Sequence, residues 1–186
     1  MPVESHPFEP FLPPDARILF LGSFPPQPKR WNMPFYYPNW INDFWRIMGL
    51  IHFNDRDYFC DVARKRFFES EIRSFCLRAG LAFYDTAAEV RRLNDNASDA
   101  SLEIVHPTDI RALLTHIPTC GAVVATGQKA AEVIAETFGC DVPSIGNYVD
   151  IALGERRLRF WRMPSSSRAY PMSLADKAGY YRLLFQ

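Results

Sequence analysis

The residues of this chain that could do chemistry gather around one short strand. Gly22-Ser23-Phe24-Pro25-Pro26 follows directly on residues 17–21, Arg-Ile-Leu-Phe-Leu. Glycine permits dihedrals closed to other residues, and paired prolines forbid helix and ladder alike, so the stretch is a loop at a strand's carboxyl end. Open α/β sheets bind ligands at such loops. The segment up to residue 45 is crowded with aromatic and amide side chains, among them Trp31, Tyr36, Tyr37, Trp40, Asn42, Phe44 and Trp45. A loop of this length is uncommon in a compact domain unless it is functional, and it is expected to form an active-site wall. Asp85 ends a second apolar run, and residues 163–170 read Met-Pro-Ser-Ser-Ser-Arg-Ala-Tyr. There Pro164, Ser165, Ser166, Ser167 and Arg168 would put N–H and O–H donors at a strand end, suited to gripping phosphate oxygens. Arg156, Arg157, Arg159, Arg162 and Arg168 fall in the same region with only Glu155 opposing them. They suit either a local basic patch or a solvated strand face.

The elements that must position these residues are legible from periodicity. Residues 17–21 are too short and too continuously apolar for one face of a helix and read as a buried parallel strand. Residues 42–50 predict a helix, and residues 58–79 a longer one stopped by Gly80. Residues 81–86 and 122–125 predict further strands. Residues 107–114 predict a helix capped near Asp109, and residues 128–138 an amphipathic helix closed by Gly139. Residues 149–153 and 158–163, joined around Gly154-Glu155, suit a β-hairpin or a turn into the last parallel strand. Ser173, with Asp176 three residues on, caps a final helix. Residues 91–101 read as a surface loop and residues 1–16, rich in proline, as an irregular lead-in. Alternating strands and helices imply an α/β fold: a three-layer α/β/α sandwich around a mainly parallel four-stranded sheet, with residues 1–186 as one domain.

Composition narrows the class. Of 186 residues, 48% are hydrophobic and 23% charged with no net charge, which describes an ordinary globular protein without a global basic field. No apolar run reaches membrane-spanning length, and Glu4, His6 and several prolines occupy the place of a signal peptide's apolar core, so a cytoplasmic location is expected. Cysteines 60, 76, 120 and 140 contain no CxxC pair and are read as free thiols, with a four-cysteine iron–sulfur cluster as the alternative. The histidines lack metal-ligand spacing. No metal, cofactor or obligate protein partner is expected.

Taken in order, Gly-Ser-Phe-Pro after the first strand, Tyr36, Tyr37, Asn42, Phe44 and Trp45 in the loop, Asp85 at the second strand end, and Pro-Ser-Ser-Ser after the last strand resemble the uracil-DNA glycosylase superfamily. The likeness is nearest to its deoxyinosine (hypoxanthine) and uracil branch and covers residues 17–185. It implies a DNA repair enzyme that hydrolyses the N-glycosidic bond of a deaminated base in duplex or single-stranded DNA. On that resemblance Asn42 would orient the water, and Gly22, Ser23, Phe24, Tyr36, Tyr37 and Asp85 would hold the base, Phe24 and Tyr37 by stacking and Asp85 by accepting from a ring N–H. The serine loop with Arg168 would grip the phosphates. Two positions depart from the pattern. Phe24 stands where other branches carry Asn or Asp to position the water, and Thr126-Gly127 stands where Asn-Gly is expected. Those departures leave open a second reading, a protein of this fold that binds nucleic acid or nucleobases without hydrolysis. A third, a hydrolase with Ser23 as nucleophile and His106 or His116 as base, lacks a nucleophile elbow.

Overall fold

Strand β2 (Ile18–Gly22) is buried along its whole length, which is why its sequence shows no polar alternation. A computed structural model describes residues 1–94 and 99–186 of the chain. Around β2 the main sheet runs in the order β5 (Leu81–Asp85), β2, β8 (Ala122–Ala125), β10 (Arg156–Arg162) and β9 (Tyr148–Leu153). The first four strands are parallel, and β9 adds a fifth, antiparallel to β10. Residues 149–163 therefore satisfy both expectations at once: they form a hairpin, and its second arm is the last parallel strand.

The pleat sorts the core into two layers. Ile18 and Phe20 face α1 (Phe44–Phe53), α2 (Glu69–Ala79) and α5 (Leu174–Arg182), in a cluster with Trp45, Ile72, Phe83 and Tyr181. Leu19 and Leu21 face α3 (Ile110–Thr115) and α4 (Gln128–Phe138), against Leu114, Ile134 and Phe160. Helices thus cover both faces of a mainly parallel sheet, the α/β/α sandwich that the alternation implies. The stops and caps are chemical: Gly80 and Gly139 end α2 and α4 in the left-handed conformation, Asp109 accepts from the Ala112 N–H, and Ser173 accepts from the Asp176 N–H.

Three expectations are corrected. Residues 58–79 are not one helix: β3 (Cys60–Asp61) and β4 (Arg66–Phe67) form a small antiparallel pair before α2 begins. Lys65 adopts φ +50° between these strands, and Asp61 accepts from the Arg64 backbone N–H, so local turn bonds replace the helix that the apolar spacing suggested. Residues 1–16 are not irregular throughout, because β1 (Val3–Ser5) pairs with β6 (Ala87–Arg92), which pairs with β7 (Leu102–Pro107) in a second, antiparallel sheet. Phe11 continues the strap by bridging to Phe83 at the edge of the main sheet. The surface loop expected over 91–101 is partly β6 and a 3-10 turn at Asp99–Ser101, and its residues 95–98 lie outside the described residues. No described helix is long and apolar enough to cross a membrane.

Candidate active site

The carboxyl ends of the four parallel strands open onto a cavity of about 560 Å³. Gly22, Ser23 and Phe24 enter it from β2, Asp85 from β5, Thr126 and Gly127 from β8, and Ser165, Ser166 and Ser167 from the turn after β10. Tyr36, Tyr37 and Asn42 form the wall contributed by the long loop. Ten of the residues singled out from sequence thus converge: Gly22, Ser23, Phe24, Tyr36, Tyr37, Asn42, Asp85, Ser165, Ser166 and Ser167.

The two polar loops are zipped together at Asn42. Its backbone bridges to Ser167, the Asp43 N–H donates to the Ser166 carbonyl at 2.8 Å, and the Arg168 N–H donates to the Ile41 carbonyl at 3.1 Å. Asp43 anchors the junction from below. Its carboxylate lies 3.5 Å from the Lys177 ammonium, 3.2 Å from Arg168 and 3.7 Å from Arg46. Lys177 is fully buried and also donates to the Ser167 carbonyl at 2.8 Å. Asn42 Oδ1 accepts from the Phe44 N–H at 3.0 Å, in a tight side-chain turn at the entry to α1. An amide oxygen has a second lone pair, so this bond fixes the side chain without exhausting it.

Gly22 and Asp85 are register partners across β2 and β5. The Asp85 carboxylate is divided: Oδ2 is 2.7 Å from His6 Nε2, while Oδ1 has no hydrogen-bond partner among the described residues. A Cβ on Gly22 would lie 2.8 Å from that Oδ1, so only glycine leaves the carboxylate its place. Tyr37 holds φ +53°, a strained setting for a bulky residue. Its ring stacks on Phe44 at 4.1 Å, and its hydroxyl shares a 2.7 Å hydrogen bond with Thr126. Burial, followed by the negative charge of Asp85, pushes the Tyr37 hydroxyl well above its ordinary range and acts on Tyr36 likewise. Both therefore remain protonated: Tyr37 shares its hydrogen bond with the Thr126 hydroxyl, and Tyr36 donates to the Glu9 carbonyl at 2.8 Å.

Other expected roles shift. Tyr36 is only 3% exposed and lies against Phe83, and one face of Tyr37 is taken by Phe44, which leaves Phe24 as a more open ring than Tyr36. Phe24 sits edge-on to His6 under the Arg92 guanidinium. Pro164 is buried, with its carbonyl accepting from Tyr181, and Arg168 is tied to Asp43; neither lines the cavity. The arginine cluster is dispersed. Arg156 caps the carbonyls of Leu114, Ile117 and Cys120, while Arg157 and Arg159 line a different groove with Arg17 and Arg182. His106 pairs with Glu89, and neither His106 nor His116 is among the cavity's lining residues, so the third reading loses both histidines it named as the base. No group of three His, Cys, Asp or Glu side chains among the described residues could hold a metal.

Sequence reasoning missed His6, Phe8, Lys177 and the partnership of Thr126 with Tyr37. Each acts through a contact far along the chain, 79 residues in the case of His6 and Asp85, and no local pattern marks it.

No protein-family model and no curated protein matches this chain. Among solved structures it is similar to a solution NMR structure of a Methanosarcina acetivorans protein provisionally assigned as a uracil DNA glycosylase, with a TM-score of 0.63 and 19% identity over 99% of each chain. The architecture is therefore that of a uracil-DNA-glycosylase-like α/β fold. At that identity the likeness speaks for the fold, and function must be argued from the site.

Proposed function

We propose that this chain is, as one domain, a monofunctional DNA glycosylase that hydrolyses the N-glycosidic bond of uracil or hypoxanthine in DNA and leaves an abasic site. The observation that carries this reading is the convergence of Asn42, Asp85, Gly22 and the serine turn on one cavity at the carboxyl edge of the sheet. A target base must leave the stack, which costs a few kcal/mol and is easiest at damaged or mispaired positions. In the cavity the base lies against Phe24 and the tyrosine wall, and Asp85 Oδ1 accepts from the ring N–H that uracil and hypoxanthine share. Asn42 holds water near the anomeric carbon. A neutral amide is a poor general base, so its part is orientation, and the bond breaks dissociatively with positive charge on the sugar. The serine-turn donors and Arg30 at the cavity wall face the phosphates. The partner is damaged DNA, no cofactor takes part, and the protein works in the cytoplasm.

The test is single-turnover cleavage of labelled duplex and single-stranded oligonucleotides carrying one uracil, hypoxanthine or xanthine, with alkali to reveal abasic sites. Asn42→Ala should lower the rate about 100-fold or more. Full activity in that variant would remove Asn42 from the mechanism. A second reading, binding without hydrolysis, is favoured by Phe24 at the water-positioning place and by the Phe44 N–H already on Asn42 Oδ1. Retained binding of damaged DNA with no cleavage of any lesion would select it.

A further inference from the structure

We infer that His6, delivered by the N-terminal strap, is a positioning residue that makes Asp85 a selective acceptor for bases carrying a ring N–H. The inference rests on the base-binding part of the proposed function and adds a determinant of selectivity outside the four strand-end loops.

Asp85 by itself is a poor choice for this duty. A mobile carboxylate beside a base that departs with negative charge would repel it, and free rotation would leave neither oxygen fixed toward the base. His6 meets both problems. Its side chain is 2% exposed, its Nε2 lies 2.7 Å from Asp85 Oδ2, and its ring lies against Tyr84 at 4.4 Å. An Nε2–H donated to Oδ2 draws charge off the carboxylate and leaves Oδ1 pointing past Gly22 as the acceptor. The other ring nitrogen is served in either protonation state. Nδ1 lies 3.1 Å from the Phe8 N–H, which it can accept when neutral, and 3.0 Å from the Phe8 carbonyl, to which it can donate when protonated. In both states Nε2 carries the proton that Asp85 needs.

The strap is built to hold the ring there. β1 pairs with β6, the His6 N–H donates to the Ala88 carbonyl at 2.8 Å, Tyr36 donates to the Glu9 carbonyl, and Phe11 bridges to Phe83. Phe8, two residues on, lines the cavity itself. Residues on both sides of His6 are thus tied to the scaffold, and the imidazole has one place to be.

The test uses free bases, so that it does not depend on cleavage. Amide chemical-shift titrations of the full chain compare uracil with 3-methyluracil and hypoxanthine with 1-methylhypoxanthine. The wild type should prefer each N–H base by about tenfold or more, the range for a hydrogen bond to a charged acceptor. His6→Phe, which keeps a ring against Tyr84 but has no donor, should reduce that preference to less than about threefold, and His6→Gln, whose amide can still donate, should restore most of it. Absence of preference in the wild type, or preference unchanged in His6→Phe, overturns the inference; so does His6→Gln behaving like His6→Phe in a folded protein. If His6→Phe does not fold, long-range 1H–15N spectra of the wild type decide: Nε2 must carry the proton, and its resonance must move in Asp85→Asn. An Nε2 without a proton overturns the proposal. Base preference that depends on His6, with no cleavage of any lesion, would sink the glycosylase reading and leave this one standing. Cleavage without base preference would do the reverse.

Discussion

Gly22→Ala probes the floor of the cavity with a single methyl group. Gly22 does not use a left-handed backbone, so alanine is conformationally allowed and the obstacle is space. The new Cβ would sit 2.8 Å from Asp85 Oδ1, about 0.6 Å inside ordinary contact, with Thr126 Oγ1 and the Tyr37 hydroxyl each at 3.6 Å. Asp85 cannot simply swing away. Its Oδ2 is held by His6 at 2.7 Å, and its backbone carbonyl accepts from Thr108 at 2.6 Å. Overpacking of this kind costs about 1–3 kcal/mol, which for a chain of this size corresponds to a fall in Tm of roughly 2–12 °C. A reading group displaced by a sizeable fraction of an ångström should slow the reaction about 10- to 100-fold. Single-turnover cleavage of whichever lesion the wild type accepts, alongside a thermal melt, measures both. The double variant Gly22→Ala/Asp85→Ala should regain part of the lost Tm, because neighbours that collide are not additive. A Gly22→Ala protein with wild-type rate and wild-type Tm would refute the geometry assigned to Gly22 and Asp85.

Asp43→Ala should destabilise the protein by about 3–5 kcal/mol in urea unfolding, because it strands the buried Lys177 beside Arg168 and Arg46. A loss under about 1 kcal/mol would place the weight elsewhere, as is expected for the half-exposed Arg168→Ala. Alkali should act through burial: it pushes the thiols of Cys60 and Cys120 up to about 11 and Cys76 higher still, and raises Tyr37 and Tyr181. These groups bind protons more tightly folded than unfolded, so their stabilising effect is full at neutral pH and is lost as pH rises past about 9. Melts from pH 7 to 11 check the sign, and a thiol reagent at pH 8 should label Cys140 well before the three buried cysteines. Arg157→Ala/Arg159→Ala should leave DNA affinity and its salt slope unchanged, since both line the groove away from the cavity; a slope reduced by about two would mean that DNA contacts that groove.

What could be read in the sequence was whatever a local rule governs. β2 and β5 announced themselves because a strand buried on both faces has no polar alternation, and Gly80, Gly139, Asp109 and Ser173 because caps act within a few residues. The cavity followed from those elements: parallel strands put their carboxyl ends on one edge, so the loops after residues 22, 85, 125 and 162 had to meet there. Failures came where two physical demands compete over the same residues. The apolar spacing of residues 58–79 suits a helix, yet turn bonds at Asp61 and the left-handed Lys65 break it. Arginines close in sequence shared one charge but not one location, because successive strand residues and a strand's two ends face different solvent. His6 is the instructive case. Its segment is short, Pro-rich and without period, and it gains structure by borrowing hydrogen bonds from β6, from the Tyr36 hydroxyl and from the edge of β5. No propensity encodes such a strap; its partners do. The residue it carries reaches Asp85 for the same reason, and a site assembled from strand ends alone would contain a carboxylate with nothing to hold it.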